Sequence, residues 1–271
     1  PREHLPLSQQ KEFKAIKNMV IREADHLQLG VFTFEDAQMK DEVDEDQDAV
    51  LHAWSSQWEM AETYQNAKEI LSVYENTEEE KAEQVQVLEQ LWSSGFTVAA
   101  HQLGKCWRDG LGVLPDDKKA ELWFQCGAEA GHDFSQYALG KLLQSQKRIN
   151  EAVSWYEKAV ELGDPYAAYQ LGKLYLQGEQ VQKDVAKALE YLTQSAEQGN
   201  QYAQYTLGKL YLTGEEVAQD QEQAYNWLWE SASQGNEYAQ FLLDHFDDSH
   251  RPNVLLAVTS LLHHMGWIFQ D

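Results

Sequence analysis

A column of aromatic and basic side chains recurs through the middle of this 271-residue chain. His101, Tyr137, Tyr169 and Tyr205 each stand four residues before a lysine: Lys105, Lys141, Lys173 and Lys209. Phe241 continues the aromatic series, with Asp244-His245 in place of the earlier Gly-Lys. An i, i+4 spacing puts both members of each pair on one face of a helix. Ammonium groups take carboxylates and aromatic rings give rigid contact area, so the column suits an acidic or C-terminal peptide. A plainer role fits the same residues: the lysines keep the surface soluble while the rings pack on the neighbouring segment.

Other chemistries fail on inspection. Gly172-Lys173 and Gly208-Lys209 are followed by Leu, and the upstream P-loop glycine is replaced by Ala167 and Ala203. Asp44, Asp46 and Asp48 have the first spacings of a calcium loop, but Ala49 and Ser55 occupy positions that need Gly and Glu. No HExxH, GxSxG or CxxC occurs. His263 and His264 are adjacent, so on a helix they point about 100° apart and do not share a metal easily. Cys106 and Cys126 lie on the two helices of one unit and read as a buried pair of reduced thiols, with a labile disulfide as the lesser alternative; whether they touch stays open. Among nine tryptophans, Trp107, Trp123, Trp155 and Trp227 follow a helical pattern and read as packing residues, not a carbohydrate platform. No catalytic residue, metal site or cofactor emerges, and the region reads as non-enzymatic.

The elements that position the column are themselves repeated. A Leu-Gly-Lys triplet places glycines at 104, 140, 172 and 208, with spacings of 36, 32 and 36. A second ladder, Gly95, Gly131, Gly163, Gly199 and Gly235, has spacings of 36, 32, 36 and 36. Both ladders shorten at the same unit, which fixes the repeat. Each unit reads as two helices. In the third, Ala167, Leu171, Leu174 and Tyr175 share one helix, broken at Gly178. Ala188, Tyr191, Leu192 and Ala196 share the next, which ends at Gly199. Gly172 lets the two helices approach closely, and the short second unit reads as a tighter turn. With Ala167 at 0°, Leu171 falls near 40°, Tyr175 near 80°, Tyr169 near 200° and Lys173 near 240°, at about 100° per residue. The Tyr/Lys face thus points away from the inter-repeat core. Stacked helix pairs put their first helices on the concave surface, which is where this column is expected.

The third unit's Ala167, Leu171-Gly172, Tyr175, Gly178, Asp184, Lys187-Ala188, Ala196 and Gly199, matched in the first and fourth units, resemble the SEL1-like repeat family. These repeats are related to tetratricopeptide repeats. The resemblance spans roughly residues 97 to 246. It implies an all-α right-handed α-solenoid of SEL1-like, TPR-like helix pairs with helical N- and C-terminal caps. It also implies an adaptor that holds protein partners on a curved surface.

Around this core the chain divides into four stretches. Residues 1–48 hold an amphipathic helix over 9–28 and an acidic linker over 35–48. Residues 49–96 hold a helix pair, a degenerate leading repeat that caps the solenoid; Thr77 and Glu80 make a capping-box signature there. Residues 97–246 hold four repeats plus the first helix of a fifth. Residues 247–271 form a C-terminal capping helix. From Pro252 to Gln270 there is no Asp, Glu, Lys or Arg, yet the polar residues in this run favour packing on the last repeat over spanning a membrane.

The net charge is −24. Such a surface opposes generic nucleic-acid binding and docking on anionic lipid. The expected partner is therefore a protein or acidic peptide; oligomeric state stays open. Taken whole, the segments PLSQQKEFKAIKNMVIREA, FTFEDA, LWSSGFTVAAHQLGKCWRDGLGV and VLLAVTSLLHHMGWIF resemble the C-terminal region of MobL-like mobilisation relaxases of Gram-positive gut bacteria. That likeness implies a bacterial cytoplasmic relaxase tail that recruits partner proteins, with the catalytic domain preceding Pro1. The alternatives are a free-standing SEL1-repeat adaptor and, as a minor one, a hydrolase on this scaffold.

Overall fold

The computed structural model describes residues 45–73 and 75–246, with side chains from Ala53 onward except Trp54. The expected helix over 9–28, most of the acidic run and the C-terminal cap lie outside the described residues.

Among the described residues every element is helical. The helices are α1 (Glu45–Ser72), α2 (Glu78–Ser93), α3 (Ala99–Asp109), α4 (Asp117–Glu129), α5 (Asp133–Ser145) and α6 (Ile149–Glu161). They continue with α7 (Pro165–Gln177), α8 (Val185–Glu197), α9 (Gln201–Thr213), α10 (Gln221–Ser233) and α11 (Glu237–Asp244). The helix expected from Ala49 starts earlier, at Glu45, and takes in the end of the acidic run. A helix N-terminus favours acidic residues, so a charge run there need not be a linker.

Two compact units divide the chain between Leu139 and Gly140, inside α5. In the first, α1 packs on α2, α2 on α3, and α3 on α4. Tyr64, Leu88, Phe96, Leu103 and Cys106 form its buried centre. In the second, α7 packs on α8, α8 on α9, α9 on α10 and α10 on α11. Leu192, Leu207 and Leu228 are fully buried there.

Both glycine columns have a physical cause, and the causes differ. Gly104, Gly140, Gly172 and Gly208 sit where the two helices of a pair touch. A Cβ on them would lie 2.4 Å from the Phe124 ring, 2.6 Å from Tyr156, 2.6 Å from Leu192 and 2.7 Å from Leu228. Gly95, Gly131, Gly163, Gly199 and Gly235 have φ between +87° and +91°, the left-handed region that favours glycine. Each closes a helix in the same way. At Gly199, for example, its amide donates to the Ala196 carbonyl (2.9 Å) and the Asn200 amide donates to the Ser195 carbonyl (3.1 Å).

Capping also recurs. Asp116, Asp164, Asp184, Asn200, Asp220 and Asn236 accept amide hydrogens in the first turn of the helix that follows each. Thr77 and Glu80 form the expected capping box at α2. The two helices of a pair are stitched by hydroxyls. Ser195 Oγ donates to the Pro165 carbonyl (2.6 Å) and Ser231 Oγ donates to the Gln201 carbonyl (2.7 Å).

The short unit has a tight turn, as its spacing predicts. Only three residues separate α5 from α6, and Lys147 takes φ +62° in place of the glycines at 110, 178 and 214. A non-glycine residue pays about 1–2 kcal/mol there, partly offset by glycine's greater freedom in the unfolded chain. Lys147→Gly is therefore expected to raise stability by roughly 0.5–1 kcal/mol. A urea midpoint that stays put or falls contradicts this account of the turn.

Candidate functional site

In the first unit the aromatic–basic column is a packing device at its first rung. The His101 ring meets Phe134 edge-on, centroids 4.8 Å apart, and lies 5.7 Å from Phe124. Its Nδ1 is buried and makes no hydrogen bond. Burial, with Lys105, Arg108, Lys68 and His132 adding repulsion, pulls its pKa from 6.5 to about 3. His101 is thus a neutral ring at pH 7. Of the two roles open to this rung, packing describes the geometry. Beside it His132 Nε2 pairs with Thr97 Oγ1 at 2.7 Å and its ring stacks on Phe134. Lys105 and Tyr137 are half-buried.

In the second unit the rings and amines come together. Lys173 Nζ lies 5.6 Å from the Tyr169 ring centroid. Burial first, and Lys141 second, lower the pKa of its ammonium. Two amines from successive units therefore share one neighbourhood, and Lys141 is exposed. Tyr169 meets Tyr202 at 6.1 Å and Tyr205 meets Tyr238 at 6.2 Å. Burial, with the neighbouring Tyr169 and Tyr238, pushes the Tyr205 hydroxyl up to about 12, so it stays a neutral donor. Lys209 is half-buried. Phe241 packs on His245 at 4.4 Å, and His245 Nδ1 lies 2.9 Å from the Phe241 carbonyl oxygen.

Phe134, Tyr202 and Tyr238, the partners of these rungs, were missed in the sequence reading. Their signal is present: an aromatic stands three residues before each later rung, at Phe134, Tyr166, Tyr202 and Tyr238. What one repeat cannot show is that His101, Tyr169 and Tyr205 each meet the ring 33 residues on, in the next repeat.

The remaining candidates behave as packing groups. Cys106 and Cys126 are free thiols, and burial raises both, Cys106 to about 12, which makes them poor nucleophiles. Lys119 lies over Trp107 and Lys158 over Trp155, each 3.8 Å from the ring centroid. Trp123 packs edge-on against Trp92. Among the described residues no group of three or more His, Cys, Asp or Glu is arranged to hold a metal. No described helix is long and apolar enough to cross a membrane.

The helix pairs match the Sel1 repeat over residues 97–132, 134–164, 165–200 and 201–236, the second match being the short one. The chain belongs to the Sel1 repeat family. It is similar to a Sel1 repeat protein from Oxalobacter formigenes, 28% identical, with 66% of this chain and 75% of that one covered and a TM-score of 0.59. It is also similar to c5321, a protective antigen of uropathogenic Escherichia coli with an SLR fold: 25% identity, 89% and 51% coverage, TM-score 0.61. The chain thus spans about half the length of that protein. The immunity protein Pa5087 of Pseudomonas aeruginosa is 26% identical over 68% of this chain and 69% of its own, with a TM-score of 0.50. No curated protein matches the chain. Sel1 repeats are generally protein-interaction scaffolds, and the all-α fold implied by the repeat is the fold observed. The relaxase likeness has no counterpart among these relatives.

Proposed function

We propose that this Sel1 protein is an interaction module and that the first-helix face of its second unit receives an acidic or C-terminal peptide. Lys141, Tyr169, Lys173, Tyr205 and Lys209 carry the contact, with Phe241 at its edge. The supporting observation is the placement of the Lys173 ammonium over Tyr169, close enough to Lys141 for the two charges to repel. A carboxylate between them relieves that repulsion, and the flanking rings supply area. In a chain of net charge −24 a local surplus of amines also steers acidic ligands to one place. His101, Lys105 and Tyr137, expected in the same column, fall in the first unit and are left outside this proposal.

The reading assigns no reaction and no nucleic-acid contact to the face. A relaxase tail and a free-standing bacterial adaptor are two settings for the same surface, and nothing in the geometry favours the first. A cytoplasmic setting fits the two reduced thiols.

The test is the binding of a fluorescent oligoglutamate peptide with a free C-terminus to the full chain and to Lys141→Glu/Lys173→Glu/Lys209→Glu. The wild type is expected to bind in a salt-sensitive way. The variant should lose at least about tenfold, or about 1.4 kcal/mol. A folded variant with wild-type affinity removes the face from consideration, and so does a wild type that does not bind.

A further inference from the structure

We infer that the groove between α10 and α11 takes a cationic side chain presented by a basic peptide. The groove holds about 390 Å³ and is lined by Tyr225, Trp229, Ala232, Gln240, Leu243 and Asp244. That is the small end of ligand clefts, with room for a side chain and the backbone beside it.

Three of these residues depart from the columns they stand in. At the position of Trp229 the earlier second helices carry Gln125, Glu157 and Thr193, residues suited to water. At the position of Tyr225 they carry Glu121, Val153 and Leu189. Here the tryptophan stands 57% exposed beside the tyrosine at 47%. At the position of Asp244 the earlier first helices carry Gly104, Gly140, Gly172 and Gly208. An open indole, a phenol and a carboxylate thus line one cleft, and none of the three occurs at these positions earlier in the array.

The parts are steadied by their neighbours. Gln240 Nε2 donates to Asp244 Oδ1 (2.8 Å), which orients the carboxylate and leaves Oδ2 to accept from a ligand. Phe246 packs edge-on against Tyr225, centroids 5.5 Å apart, and restrains that ring.

Charge selects the occupant. From Leu210 to Asp244 the chain has seven Asp or Glu and no Lys, Arg or His. Lys183 pairs with Glu216 (2.6 Å), while Glu222, Glu230 and Glu237 on α10 and α11 are exposed. Such a field gathers cations and turns acidic ligands away. The face of an indole attracts an ammonium or guanidinium, and a carboxylate beside it adds a charge-assisted hydrogen bond. A wholly apolar occupant would strip water from Asp244 and give nothing in return. A lysine or arginine side chain satisfies both walls, with its stem on Leu243 and its head between Trp229 and Asp244.

The test is a titration of the full chain with the peptide acetyl-Gly-Gly-Arg-Gly-Gly-amide, followed at the indole N–H resonance of Trp229. That resonance is identified by its loss in Trp229→Phe. A saturable shift is expected. The same peptide with citrulline in place of arginine keeps the shape without the charge and should leave the resonance in place. Asp244→Asn should raise the half-saturating concentration at least about threefold, the scale of an exposed ion pair. Glu161→Gln, an equal loss of charge on α6, should not change it. No shift at Trp229, equal shifts with citrulline, or equal weakening by the two variants each overturns the inference. The lysine face takes no part in this experiment, so the two proposals stand or fall separately.

Discussion

Removing the Phe124 ring is expected to cost the first unit about 3–5 kcal/mol, and a second substitution should then change sign in its presence. Phe124 is fully buried and its ring fills the space where a Gly104 side chain would be. On its own, Gly104→Ala drives a methyl to within 2.4 Å of that ring, which must shift with its neighbours. Overpacking of this kind costs about 1–3 kcal/mol, set against a gain of about 1 kcal/mol in helix propensity. In the Phe124→Ala background the obstacle is gone and part of the cavity is filled, so Gly104→Ala should become neutral or stabilising. Urea titrations of the four proteins of the cycle measure this. Additive effects would show that the glycine is there for some reason other than close approach.

Acid should loosen the same unit through His101. Its folded-state pKa of about 3 lies below the ordinary 6.5, so the unfolded chain takes up the proton first. This contribution is fully present above pH 6.5 and falls as the pH drops from 6.5 toward 3. The ceiling on the loss is about 1.4 kcal/mol per pH unit, reduced because one edge of the residue is open to solvent. His101→Phe, which gives this rung a ring like those at Tyr137, Tyr169 and Tyr205, should flatten the profile between pH 6.5 and 4.5. His132, which adds to the repulsion on His101, is kept in both proteins. Parallel pH profiles for the two proteins would mean that the imbalance at His101 does not reach stability.

The fold was legible because its causes are periodic. Two glycine columns with different jobs kept the same register, including the short unit, and a helix pair is the arrangement that needs both. The boundaries of α7 and α8 follow from Pro165, Gly178 and Asp184, residues whose backbone roles are local. The candidate site was less legible because its geometry depends on contacts between units. Reading down the column equates His101 with Tyr137, yet His101 is wedged between Phe124 and Phe134 while the Tyr169 ring carries Lys173. The pairing of Tyr169 with Tyr202 is invisible until neighbouring units are superposed. Trp229 passed unnoticed because a lone aromatic on a polar helix face has meaning only beside its counterparts Gln125, Glu157 and Thr193.

The two glycine columns also begin and end at different places, which bears on how such chains lengthen and wear. The left-handed glycine answers only to the helix it terminates, and it is present at Gly95, ahead of the first full unit, and at Gly235, after the last. The close-approach glycine answers to a partner. It is missing at Lys68, one period before Gly104, and at Asp244, one period after Gly208. A duplicated segment brings its own stopping signal with it, complete on arrival. Intimacy with a partner is inherited only by the pair, so a copy parted from its second helix is free to let that glycine drift. Lys68 and Asp244 mark the two positions where a helix of the array is not held to that requirement.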